Sequence, residues 1–290
     1  MTADLAPPRG ADPSRFLAAI SSLEGRVDAL NLTENQGARV RACSLAACAL
    51  VLRHSTLEPV LQIVCRGRNR LALQGELLGA ALLGVRDLLV LRGDPPGVGD
   101  HPDALDLLDL DVPDLLRVVC RMEEEGRLLS GGLLESRPRF FPGAVVDPDP
   151  ARAAEELKRM RAKVEAGARF FQTQPVFDLK AFAEWMQGAG ECLGGARLLA
   201  GVLVTGNAGM VRRLAAELPG MGAAAAVAER LDRAKDPGKE GVRLAVEAVE
   251  GLRGMPGVSG VHLMGGGKTE LVERTLEAIG RRKSDGAPGG

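Results

Sequence analysis

Three carboxylates and one carboxamide stand where short apolar runs give out: Asp4 ahead of Leu5-Ala6-Pro7-Pro8, Asp94 after Arg92-Gly93, Asp147 closing the run from Phe141, and Gln174 closing the run from Arg169. A placed carboxyl can deliver a proton, or stand as fixed negative charge against a cation that develops during a reaction. A carboxamide both donates and accepts, which suits a ring with an alternating donor and acceptor edge. Gly93 has no Cβ, so the backbone there can approach a bound group closely and leave the Asp94 carboxylate beside it. Metal chemistry has no comparable support. His54, His101 and His262 are scattered, and Cys43 and Cys48, five apart on a helix, point about 140° from each other at ~100° per residue. The cysteines (Cys43, Cys48, Cys65, Cys120, Cys192) are odd in number and never form a C-x-x-C pair, so packing is their expected use, with Cys65 at a strand end able to line a site.

These residues must be carried by elements, and the chain alternates short β-rich runs with stretches of helical period. Strands are expected at 2–6, 27–33, 58–65, 87–93, 141–147, 169–174, 197–204 and 260–265, each followed by a helical stretch. The first helix shows the pattern well, with Phe16, Leu17, Ile20 and Leu23 on one face. Eight strand–helix units predict a single (β/α)8 barrel over residues 1–280, an α/β TIM barrel, with a doubly wound sheet as the alternative and 281–290 as a disordered tail. A barrel collects its functional groups at the C-terminal ends of its strands, where the four polar residues fall, together with Thr33, Thr205 and the Met264 region. The Pro- and Gly-rich loop from Asp94 to Ala104 reads as a functional lid carrying His101. Residues 219–241 read as a Gly/Ala-rich, charged stretch leading into a helix at Val242.

Composition removes several functions. Hydrophobic residues make up 46% of the 290 and charged residues 26%, which excludes disorder. Lys and Arg number 37 against 38 Asp and Glu, so no broad field exists to grip nucleic acid or an anionic membrane, and aromatics at 3% give no stacking platform for single strands. No secretory signal or membrane-spanning run is read, and the expected location is the cytoplasm. Two phosphate-loop lookalikes fail. MGGGKTE has His262 where the pattern needs a glycine, and GMGAAA from Gly220 follows a helix, not a strand.

Six segments in order, DLAPPRG (4–10), DALNLTENQ (28–36), LQIVCRGRNR (61–70), LVLRGDPP (89–96), KVEAGARFFQTQPVFD (163–178) and GVHLM (260–264), resemble the methylenetetrahydrofolate reductase family. The likeness runs from about residue 2 to about residue 279 and is greatest to the bacterial branch with the R-x-x-S-L-A-A and C-R-x-R-N-R stretches. It implies a flavin-binding barrel that reduces 5,10-methylenetetrahydrofolate to 5-methyltetrahydrofolate in one-carbon metabolism, on the way to methionine. FAD or FMN would be the cofactor, reloaded by NADH, NADPH or an electron-supplying partner protein. A homo-oligomer is compatible with this reading, as is a non-catalytic or corrinoid-associated folate- or flavin-binding subunit of a methyl-transfer complex.

The resemblance also assigns roles. Asp4 falls where the family has the acidic residue of E-x-x-P-P, and would protonate the departing nitrogen as the folate ring opens. Aspartate is one methylene shorter than that glutamate, about 1.5 Å of reach, and ionises near 3.9 rather than about 4.3 when unperturbed. A closer backbone, a relaying water or a slow ring opening would follow. Asp94 would stabilise the cationic iminium and Gln174 would anchor the pterin. Thr33, Arg92, Gly93, Asp94, Asp147 and Lys163 fall at flavin contacts, although Asp147 stands where relatives carry His or Asn. Plainer uses are a solvated end residue for Asp4, a turn before Pro95 for Asp94 and a solvated helix position for Lys163.

Overall fold

The computed structural model describes residues 1–217 and 222–281. The expected tail therefore lies, beyond Arg281, outside the described residues. In chain order the elements are β1 (Thr2–Leu5), α1 (Ser14–Leu23), β2 (Ala29–Leu32), α2 (Ser44–His54), β3 (Glu58–Val64), α3 (Arg70–Leu83), β4 (Asp87–Leu91), α4 (Val112–Glu124) and β5 (Phe141–Val146). There follow α5 (Ala153–Glu165), β6 (Phe170–Pro175), α6 (Leu179–Cys192), β7 (Arg197–Leu203), α7 (Ala208–Glu217), α8 (Gly222–Arg233), α9 (Pro237–Leu252), β8 (Gly260–Met264) and α10 (Thr269–Ala278). All eight strands are parallel, in sequence order, and the sheet closes where Thr2 pairs with His262 and Ala3 with Leu263.

Strand periodicity sorts the residues into two layers. Leu30, Leu32, Leu61, Ile63, Leu88, Val90 and Phe171 face outward into the main core beneath the helices. Ala29, Val60, Leu89 and Phe170 face inward and form a separate apolar plug. The plug lies toward the N-terminal half of the strands. Two residues further along the same inner face the side chains become polar: Asn31 on β2 and Gln172 on β6, both fully buried.

Local chemistry places the helices. Asn69 caps α3 by accepting from the Ala72 amide at 2.9 Å, and Asp178 accepts from Lys180 and Ala181 at the start of α6. The main departure from the sequence reading is at 222–241. The run Ala223–Ala226 carries the highest helix propensity available, and Ala224, Ala228 and Leu231 recur on one face that packs against Val211 of α7, giving α8 where an irregular stretch was expected. After it α9 begins at Pro237, five residues before Val242, because Asp236 caps it through the Lys239 amide and proline suits the first helical turn. No helix among the described residues is long and apolar enough to cross a membrane.

Candidate functional site

The C-terminal ends of the strands form a mouth whose floor is the polar layer above the apolar plug. Asn31 and Gln172 face each other across the barrel as reciprocal amides, Asn31 Nδ2 donating to Gln172 Oε1 at 2.7 Å and Gln172 Nε2 to Asn31 Oδ1 at 3.2 Å. Gln172 Nε2 also reaches Thr2 Oγ1 at 3.5 Å, and Thr2 Oγ1 lies 2.8 Å from Nδ1 of His262, which is 2% exposed. The other ring nitrogen of His262 stands 3.2 Å from Asp4 Oδ1. That oxygen is buried and has no aligned hydrogen-bond donor among the described residues.

Asp4 lies two residues beyond Thr2 on β1, on the same inner face, its side chain 14% exposed. Thr33, two beyond Asn31, is buried, and its hydroxyl also lacks a hydrogen-bond partner. Burying an unpaired hydroxyl costs about 1–3 kcal/mol, so Thr33 Oγ1 is suited to a group the protein itself does not supply. Gln174, two beyond Gln172, is half-buried, and its amide makes no hydrogen bond among the described residues. Its backbone is fixed instead: Thr173 Oγ1 donates to the Gln174 carbonyl at 2.7 Å and accepts from the Gly201 amide at 2.9 Å, where the β6–β7 register shifts. A Cβ at residue 201 would stand 2.5 Å from the Thr173 carbonyl oxygen, so this approach requires glycine.

Beyond β4, Gly93 adopts φ +88°, which sends the chain back across β3. The Arg92 carbonyl accepts from the Arg66 amide at 2.9 Å, while the exposed Arg92 guanidinium has no hydrogen bond or ion pair among the described residues. Asp94 is exposed at the rim, where its Oδ2 accepts from the Gly37 amide at 2.6 Å. The loop expected to be a lid is tied down. Asp100 accepts from Arg9 Nη2 at 2.8 Å and from the Val40 amide at 3.0 Å, and past the end of the loop Arg70 pairs with Asp109 at 2.6 Å. The loops after β1, β2, β3 and β4 are thus one linked rim. Asn35 and Ala38 take positive φ within it, conformations that cost non-glycine residues about 1–3 kcal/mol and are typical of constrained sites.

The remaining expected residues sit on the β5 side. Asp147 accepts from Arg152 Nη2 at 2.7 Å, and burial pushes its carboxyl up to about 6 against the pull of Arg152, with Glu156 and Asp149 adding repulsion. Lys163 is half-buried, not a solvated helix position; its Nζ donates to the Val145 carbonyl at 2.6 Å, and burial pushes its ammonium down. Its charge is thereby committed to β5. Cys65 faces the outer core, where burial pushes its thiol up to about 12, so it does not line the mouth. Thr205 is used in a turn, accepting from the Asn207 amide at 3.1 Å. Among the described residues no three His, Cys, Asp or Glu stand together as a metal site. A groove of about 580 Å³ between the end of α3 and residues 133–139 lies at the opposite end and touches none of the site residues.

Sequence reading missed a whole layer: Thr2, Asn31, Gln172 and His262. The signal was available, since each lies two residues before a strand-end residue already singled out, on the face that strand alternation turns inward. It also missed Glu34, whose buried carboxylate accepts from the Ser44 amide at 2.7 Å to start α2 and from Arg68 Nη2 at 3.0 Å, with Arg68 also paired to Glu76.

Comparison with known proteins agrees with this architecture. An uncharacterized protein from Clostridium thermocellum, described as binding two copies of 5-methyl-5,6,7,8-tetrahydrofolic acid, is similar with a TM-score of 0.63 at 12% identity, over 96% of this chain and 92% of that one. The tryptophan synthase complex of Pyrococcus furiosus (TM-score 0.52, 13% identity, 98% and 95% covered) and QR15, an aldolase (0.51, 11%, 97% and 95%), share the fold. At such identities the likeness concerns the barrel alone. The family is given by sequence: the methylenetetrahydrofolate reductase model matches residues 1–280, and the chain belongs to that family.

Proposed function

We propose that this chain reduces 5,10-methylenetetrahydrofolate to 5-methyltetrahydrofolate at the C-terminal mouth of its barrel. One observation carries the reading: in a chain of this family, the inner face of the mouth holds polar groups the protein leaves unsatisfied, Asp4 Oδ1, Thr33 Oγ1 and the Gln174 amide. The solved C. thermocellum protein of the same fold binds the product of this reaction, which supports a folate ligand.

A flavin, FAD or FMN, fits the residues present. Thr33 offers a buried hydroxyl and Arg92 an unpaired guanidinium for an anionic portion. The side of Gly93 that a Cβ would occupy faces Val64 and Arg66, so the expected close approach of a cofactor at Gly93 is not what its missing Cβ serves. Bound at Thr33 and Arg92, the flavin would supply the hydride, drawn from NADH, NADPH or a partner protein. The protein's own work is electrostatic and positional. Gln174 holds the pterin edge through an amide that both gives and accepts. Asp4 gives its proton to the departing nitrogen as the folate ring opens. Asp94, released from the Gly37 amide or sharing it, sets negative charge near the iminium. Asp147 and Lys163 border this site through β5, already engaged with Arg152 and the Val145 carbonyl.

The test pairs colour with turnover. The purified chain is expected to carry a yellow flavin spectrum. Asp94→Asn should keep it while slowing the folate half-reaction more than about tenfold, ~1.4 kcal/mol. Asp4→Asn should abolish most turnover and Asp4→Glu preserve or raise it; full activity in the Asn variant would remove Asp4 from the role. The shortened acid at position 4 favours a second reading, a folate- or flavin-binding subunit of a methyl-transfer complex. Oxidation of NADH or NADPH by the lone chain together with folate reduction would rule that out.

A further inference from the structure

We propose that His262 is the positioning residue of Asp4, held in a single tautomer by a one-way hydrogen-bond chain that begins at the amide pair inside the barrel. This rests on the proton-donor role proposed for Asp4. The direction follows from which groups can give and which can accept. Gln172 Oε1 is taken by Asn31 Nδ2, so the edge that Gln172 turns to Thr2 is its NH2, a donor only. Thr2 Oγ1 accepts there and has its proton free for His262 Nδ1, 2.8 Å away. With Nδ1 accepting, the ring proton sits on Nε2, which faces the buried and otherwise donorless Oδ1 of Asp4 at 3.2 Å. The contact is out of line, of the kind that tightens when substrate is in place.

The consequence bears on the short acid. Asp4 lacks the reach of a glutamate, and a carboxyl gripped from below through Oδ1 has one oxygen, Oδ2, left for substrate. When the folate ring opens, the carbon–nitrogen bond breaks with its electron pair left on nitrogen, and the proton on Oδ2 moves to that nitrogen. The carbon becomes part of the cationic iminium, and Asp4 becomes a carboxylate. His262 keeps its proton throughout and supports the new charge. The Thr2 hydroxyl and the Asn31 and Gln172 amides transfer nothing, being far too weakly acidic and basic to exchange protons in this role; they fix which way the imidazole points.

Nitrogen NMR of histidine-labelled protein reads the geometry without any turnover. The chain has three histidines, of which His54 and His101 are exposed, so the buried ring is assigned by its loss in His262→Gln. The expected spectrum has the proton on Nε2 and a bare Nδ1, with that preference lost in Thr2→Val. A proton resident on Nδ1 in the unmodified chain, alone or beside one on Nε2, would overturn the proposal. In kinetics, His262→Leu should lower kcat at least about tenfold with KM for folate little changed, and His262→Gln, whose amide can place an N–H near the Nε2 position, should recover most of the loss. In the Asp4→Asn background His262→Leu should have no further effect. If Asp4→Asn is inactive while folded His262→Leu retains full kcat, the positioning role falls and the function stands. If no variant reduces folate, the proposed function falls while the imidazole spectrum still decides how His262 is held.

Discussion

Replacement of Asp147 by Asn isolates a pH dependence that the β5 side of the mouth builds in. The folded carboxyl is pushed from 3.8 up to about 6, chiefly by burial and further by Glu156 and Asp149, with Arg152 pulling the other way. Its side chain is 14% exposed, so solvent screens little of this. Below pH ~4 the group is protonated in the folded and unfolded chains alike and costs nothing. As pH rises the unfolded chain releases this proton first, whereas the folded chain must ionise a buried group, so stability falls through pH ~6. About two units at 1.36 kcal/mol each amount to roughly 3 kcal/mol lost between pH ~4 and ~7.5. The Asn variant has no such proton. Urea unfolding of both proteins across that range should show the stability difference, original minus variant, falling by about 3 kcal/mol, half of it lost near pH ~5 and the curve flat above pH ~6.5, other groups cancelling in the subtraction. Carbon NMR of the carboxyl reads its folded titration directly, expected at about 6. A flat difference, or a folded carboxyl that titrates below about 4.5, would refute the burial argument for this corner of the mouth. Under the proposed function the Asn variant, which sets no negative charge there, should also bind flavin more tightly at pH ~7.5 than the original chain.

Three further outcomes are expected. Thr33→Val, nearly isosteric, should stabilise the flavin-free chain by about 1–2 kcal/mol by removing an unpaired buried hydroxyl, and weaken flavin binding; a loss of stability would show that the hydroxyl is already satisfied. Gly201→Ala forces a methyl to within 2.5 Å of the Thr173 carbonyl oxygen and 3.0 Å of the Gln174 carbonyl oxygen, so it should cost about 1–3 kcal/mol and raise KM for folate, and an unchanged melting temperature and KM would contradict the packing described. Arg68→Met strands the Glu34 and Glu76 carboxylates and should cost about 3–5 kcal/mol at neutral pH, less in acid as they take up protons, measured by denaturant unfolding.

Much of the barrel was legible because its signals are local. Alternation in β6 separates Phe171, facing out, from Phe170 and Gln172, facing in, and needs no partner strand to be read. The mouth residues Asp4, Thr33, Asp94 and Gln174 follow from a rule of the fold, that strands end where function gathers. Helix α8 was missed because Pro219, Gly220 and Gly222 read as punctuation ahead of an otherwise helix-favouring alanine run, and its apolar face finds its buried partner, Val211 of α7, only in the fold. Lys163 reads as a solvated helix charge until β5 presents the Val145 carbonyl to it.

The primary structure by itself determined the number and order of the strands, the polar character of their ends and the family, since each depends on residue type and short-range period. Tertiary structure decided the pairings. His262 and Asp4 are 258 positions apart in the chain and 3.2 Å apart in space, brought together only because β8 closes on β1. A polar side chain's partner across a barrel depends on closure and stagger, which belong to the ring of strands as a whole and are written in no single segment.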